Sequence, residues 1–141
     1  MGIVLTDEMK AVEQAARSGL SLLVLGRAGT GKSTLLQLLR QSLDSSGKLL
    51  GVVAPTGIAA LNVGGETFHK FFGFRQNLLP SLVNYRPPNH LSDIDVLIID
   101  EISMVRADYF DMMSRALSRA KRNPEPFGGT QVVMFGDLFQ L

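Results

Sequence analysis

One stretch constrains this chain more than any other. The segment LLVLGRAGTGKS, residues 22–33, runs from an apolar, strand-like segment into a loop of pattern G-x-x-x-x-G-K-S. A helical pattern of leucines begins directly after it. Strand, loop and helix in that order are the context in which such a loop wraps a phosphate. Gly26, Gly29 and Gly31 let the backbone bend so that several N–H groups point at one anion. The helix that begins near Lys32 adds the positive end of its dipole. Lys32 reaches the β- and γ-phosphates and Ser33 sets its hydroxyl on Mg²⁺. Ala28, Thr30 and Thr34 complete the expected cradle for a nucleoside triphosphate. The alternative is a glycine-rich turn with a chance Lys-Ser. The flanking strand and helix, and an acidic partner downstream, weigh against it.

With 141 residues, 45% of them apolar, the chain is one domain with a buried centre. Its net charge of +1 supplies no global basic field, so any nucleic-acid contact must come from local groups. Cysteine is absent, which removes disulfides and Cys-based metal sites. That composition fits a reducing compartment: the cytoplasm, or the nucleus or mitochondrion of a eukaryote. No secretory signal and no apolar run of membrane-spanning length is visible.

Helices are expected from an N-cap at Thr6 to Gly19, over residues 32–45, briefly over 56–61, and over 107–121. Four apolar strands are expected, at 20–25, 49–54, 95–99 and 130–135. A passage rich in Gly and Phe covers 64–74, and a proline-bearing loop or small insertion covers 76–89. Apolar strands alternating with helices predict an α/β fold with a parallel sheet covered on both faces. Arg115, Arg119, Lys121 and Arg122 invite a nucleic-acid reading. Cations opposing the negative end of a helix dipole explain them better.

The third strand ends in Asp100-Glu101. Ligands of open α/β sheets bind beyond the carboxyl ends of the strands, so this pair is expected beside the glycine-rich loop. Asp100 is placed to hold Mg²⁺, and Glu101 to orient or deprotonate an attacking water. Capping of a following helix near Ser103 is the alternative. A kinase acting on a small molecule needs no water-activating carboxylate, so the pair favours triphosphate hydrolysis. A GTPase would need an N-K-x-D pattern, which the chain lacks. Gln140 could contact a γ-phosphate if the last strand lies between the first and the third; by itself it reads as a turn residue. The stretches APTGIAA (54–60) and GETFHKFFG (65–73) mix small, hydroxyl, basic and aromatic groups suited to a single nucleic-acid strand. From composition alone, Phe68, Phe71 and Phe72 read better as core, and His69 says little.

The blocks LTDEM, GRAGTGKS, VAPTGIAALNVGGETFHKFFGF, LIIDEISMV and GGTQVVMFGDLFQL stand in one order along nearly the whole chain. In this the chain resembles the N-terminal RecA-like motor domain of superfamily 1B DNA helicases of the RecD and PIF type. The EISMV and GDLFQL blocks are more specific to that group than the phosphate loop. The resemblance implies a P-loop NTPase fold and an ATP-driven 5′-to-3′ motor on single-stranded DNA. It implies ATP and Mg²⁺ at Lys32, Ser33, Asp100 and Glu101, with Gln140 as γ-phosphate sensor. It also implies a DNA path lined by Pro55, Thr56, Gly57, Thr67 and His69.

Two departures from the family pattern stand out. The N-terminal motif usually reads L-T-x-E-Q, with the Gln reading adenine; here that place is Met9, and Gln14 is out of register. The chain also ends at Leu141, just after the sensor block, so a second RecA-like domain with its arginine finger is expected to be missing. An isolated nucleotide- or DNA-binding domain with little turnover is the competing reading. An unrelated P-loop ATPase or small-molecule kinase is the other, which the EISMV and GDLFQL blocks oppose.

Overall fold

The computed structural model describes residues 6–26, 31–75 and 82–137. Helix α1 (Asp7–Arg17) starts where the Thr6 hydroxyl accepts a hydrogen bond from the Met9 amide, with Asp7 and Glu8 in the first turn. Strand β1 (Leu22–Gly26) leads to α2 (Lys32–Ser45). Then come β2 (Leu50–Ala54), α3 (Gly57–Val63), β3 (Glu66–Thr67) and α4 (Phe68–Phe72). Strand β4 (Val96–Ile99), helix α5 (Ala107–Lys121) and strand β5 (Gln131–Asp137) complete the elements. The bounds of α2 and α5 are those the leucine and methionine spacing predicts.

All strands are parallel, in the order β1-β5-β4-β2-β3. This is the predicted α/β class. The last strand lies between the first and the Asp-Glu strand, the condition set for the sensor reading. Among the described residues five strands stand where four are expected. The extra one, β3, is a two-residue pairing of Glu66 and Thr67 with Val53 and Ala54. No run of β-branched residues announces so short a strand.

Side-chain alternation splits the sheet into two cores. Val53, Leu97, Ile99 and Val132 face α4 and α5, packing on Phe68, Phe72, Met113 and Leu117. Val52, Val96, Ile98, Val133 and Phe135 face α1 and α2, packing on Ala16, Leu35, Leu36, Leu39 and Leu43. Burial of both faces is why these strands read as unbroken apolar runs. Strand β1 departs from that expectation. Leu22 and Val24 pack toward α1 and α2, but Leu23 and Leu25 point to the α5 side, 55% and 39% exposed. Among the described residues nothing pairs with the outer edge of β1.

Side chains near the C-terminus of α5 hold neighbouring backbone. Arg119 donates to the carbonyls of Leu82 and Tyr85, and Lys121 to that of Ile94. Arg115 pairs with Asp111 one turn back. These partners favour the structural reading of that basic cluster. No helix among the described residues is long and apolar enough to cross a membrane.

Candidate active site

Because every strand runs the same way, the C-terminal ends of all five open on one edge of the sheet. Gly26 ends β1, Asp137 ends β5, and Asp100 follows β4. Gly31 caps α2 at φ +88°, a left-handed conformation that suits glycine. The first turn of α2 carries no side-chain cap and no acid. Its amides are therefore left for an anion. Lys32 and Ser33 open this helix, with Thr34 beside them. Ala28, Gly29, Thr30 and Gln140 lie outside the described residues.

The Lys32 side chain is largely buried and meets three carboxylates. Its Nζ lies 3.1 Å from Asp137, 3.6 Å from Glu101 and 3.8 Å from Asp100. Only the Asp137 contact is a hydrogen bond. Burial works against the ammonium charge. The Asp137 hydrogen bond and the fields of Asp100, Glu101 and Asp137 outweigh it, and the lysine pKa lies above its ordinary value. Lys32 is therefore fully charged at neutral pH.

The acids are held by backbone. The Asp100 amide donates to the Val53 carbonyl, extending the β4–β2 ladder by one residue. Glu101 then turns with φ +54° and ψ +47°, a left-handed geometry disfavoured for a residue with a Cβ by roughly 1–2 kcal/mol. A short 3₁₀ turn, Ile102–Met104, follows, and its start bears no side-chain cap. The acids therefore do not act as helix caps there. Gly136 makes room for this turn: a Cβ on it would lie 2.9 Å from Ile102 Cγ2.

One oxygen of Asp100, Oδ1, is buried with no hydrogen-bond partner. An orphaned carboxylate oxygen beside a phosphate loop fits the demand of a hard cation for oxygen ligands. Among the described residues no group of three or more acids and histidines could hold a metal alone.

Beside the loop, a cavity of about 250 Å³ is lined by Thr6, Glu8, Met9, Val12, Gly31 and Lys32, among others. Met9 Cε lies 3.1 Å from where a Cβ on Gly31 would stand. The thioether thus borders the space next to the phosphate cradle. A roomier groove of about 910 Å³ beside α2 is lined by Gln37, Arg40, Gln41 and Leu49, none of them flagged by the sequence.

Pro55, Thr56, Gly57, Thr67 and His69 gather at the ends of β2 and β3, where Ala54 pairs with Thr67. Both threonines have a structural task. Thr56 Oγ1 accepts from the Ala59 amide and caps α3, and Thr67 Oγ1 accepts from the Lys70 amide and caps α4. Each hydroxyl keeps its own proton to donate outward. His69 is half-buried against the rings of Phe68 and Tyr109, at centroid distances of 4.3 and 4.8 Å. Burial lowers its pKa below 6.5, so the imidazole is neutral at pH 7. Phe68 and Phe72 are core, as composition suggests, and half-buried Phe71 closes over Gly51.

Sequence reasoning missed Asp137. Its sequence signal is an acid close behind an apolar run, much as at Asp100.

A phosphate-loop strand at one edge, an acid-bearing strand two places in, and a lysine facing both define a P-loop NTPase domain of RecA-like build. The chain belongs to the PIF1-like helicase family, whose pattern it matches over residues 4–141. It is 41% identical over 147 aligned positions to the ATP-dependent DNA helicase PIF1 of Candida albicans, covering 99% of this chain and 16% of that protein. Bacteroides Pif1 in complex with ADP-AlF4 superposes with a TM-score of 0.86 at 44% identity, covering 99% of this chain and 34% of that one. A Pif1 helicase from Bacteroides in complex with ADP-AlF3 and single-stranded DNA superposes with a TM-score of 0.84 at 41% identity, covering 99% of this chain and 34% of that one. The chain thus spans about a sixth of the Candida protein and a third of the solved Bacteroides chains.

Proposed function

We propose that this chain is the ATP-binding and hydrolysing half of a 5′-to-3′ DNA helicase that moves on single-stranded DNA. The observation that carries the reading is the convergence of Lys32, Asp100 and Glu101 within 4 Å at the carboxyl edge of the sheet, beside the phosphate loop. Family membership and the likeness to Pif1 bound to nucleotide and single-stranded DNA support it.

In this reading the amides that open α2 and the Lys32 ammonium hold the β- and γ-phosphates. Gly26, Ala28, Gly29, Thr30, Gly31 and Thr34 shape the cradle. Ser33 and Asp100 hold Mg²⁺, which neutralises charge on the phosphate oxygens. Glu101 accepts the proton of the attacking water on its carboxylate. Gln140, three residues further along the chain than the last residue of β5, senses the γ-phosphate. Pro55, Thr56, Gly57, Thr67 and His69 line the DNA path, with a second RecA-like domain as the partner that closes the cleft.

Two substitutions test this. Lys32→Ala removes the cradle's side-chain cation and should weaken ATP binding about 100-fold, or roughly 2.7 kcal/mol, in a titration with labelled nucleotide. Glu101→Gln, in a polypeptide that includes the second motor domain, should bind ATP normally and hydrolyse it roughly 10²–10⁴-fold more slowly. Unchanged binding in the first would exclude the phosphate-loop assignment. Equal turnover in the second would exclude the base.

A further inference from the structure

Lys32 Nζ has three acids around it but donates to only one. That one, Asp137, belongs neither to the phosphate loop nor to the Asp-Glu pair. Asp137 ends β5 and is the cross-strand neighbour of Gly26, the residue from which the loop departs. It is 8% exposed, so its charge is compensated by Lys32 rather than by water. Among the described residues three carboxylates face this one ammonium, and their fields oppose the approach of a polyphosphate to it.

Resting on the nucleotide-binding reading of this site, we propose that Asp137 is a positioning residue that competes with a polyphosphate for the Lys32 ammonium. Its carboxylate stands in for the phosphate oxygens, and an arriving triphosphate must take the lysine from it. Asp137 thereby lowers nucleotide affinity and ties the end of β5 to the state of the loop. Asp100 and Glu101 do not fill this role: they lie at 3.8 and 3.6 Å, beyond hydrogen-bond reach of the same nitrogen.

The test compares Asp137→Asn and Asp137→Glu with wild type by titrating ATP with Mg²⁺ and, separately, inorganic tripolyphosphate. Asp137→Asn keeps the shape and removes the charge. It should bind both ligands at least about tenfold more tightly, because a competing charge 3.1 Å from the lysine is gone. Asp137→Glu keeps the charge and should show no such gain, a contrast that a purely structural role for Asp137 would not produce. A second arm needs no ligand and does not depend on the single Asn variant folding. Lys32→Met strands the acids and should lower the thermal midpoint, and adding Asp137→Asn to it should raise the midpoint again. Wild type that binds with no gain in Asp137→Asn, or a double variant no more stable than Lys32→Met, overturns the inference alone. Wild type that binds neither ligand sinks the reading of the site and the inference with it.

Discussion

At the scale of single residues, the site depends on which charges are compensated and which side chains carry hydrogen-bonding groups. Met9 borders the cavity beside Gly31, where the family pattern carries an adenine-reading glutamine. A thioether pairs poorly with the donors and acceptors of a base edge. ATP and GTP affinities, measured by competition, should therefore lie within about tenfold, or 1.4 kcal/mol. A strong preference for ATP would mean that backbone or another side chain does the reading. His69 differs from a phosphate-binding lysine, because burial keeps its ring neutral at pH 7. His69→Ala should weaken single-stranded DNA binding yet leave the slope of affinity against salt unchanged, since no counterion-releasing charge is lost. A flattened slope would show that His69 binds as a cation. The linkage has one sign. The folded state resists protonating His69, so its contribution to stability is complete above pH 6.5 and fades as pH falls through the lowered folded value.

At the scale of elements, the two shortest helices depend most on single side chains. Helices α3 and α4 have seven and five residues, too few to be stable alone, and each is started by a threonine hydroxyl. Both lie in the segments proposed to line the DNA path. Thr56→Ala should lower stability by about 1 kcal/mol in denaturant titration, while Thr56→Ser should restore most of it. DNA affinity should be compared at temperatures where both variants are folded, so that a lost cap is separated from a lost phosphate contact. No loss of stability in Thr56→Ala would mean that packing of Ala60 and Val63, both buried, holds α3 without its cap.

At the scale of the whole molecule, the open side of β1 is the feature with consequences. Leu20, Leu23 and Leu25 are exposed on or beside a strand whose outer edge has no partner among the described residues. Such an edge is a template for association. The 141-residue chain by itself should self-associate in light scattering, and Leu23→Lys with Leu25→Lys should shift it toward monomer. A monodisperse wild-type monomer would contradict this. The same chain alone should separate no DNA strands. It should also hydrolyse ATP more slowly than a polypeptide with both motor domains, by as much as an arginine finger contributes, roughly 10³–10⁵. Robust unwinding by the 141 residues would refute the need for a second domain.

What the sequence by itself determined was local. The strand before the glycine-rich segment and the helix that Lys32 opens, the bounds of α2 and α5, the Thr6 cap and the Asp100-Glu101 pair all follow from residues within a few turns of one another. Their signals are periodicity, capping and glycine placement. The tertiary structure decided what depends on distant segments. It set β5 between β1 and β4, and so brought Asp137 to Lys32 across 105 residues of chain. It paired Glu66 and Thr67 with β2, an element too short to have a period, and turned Glu101 left-handed against the space left by Gly136. It also left Leu23 and Leu25 open, because α5 covers the centre of the sheet and not its β1 edge. Strand order and face coverage come from packing across the whole sheet, and no window of sequence carries that free energy.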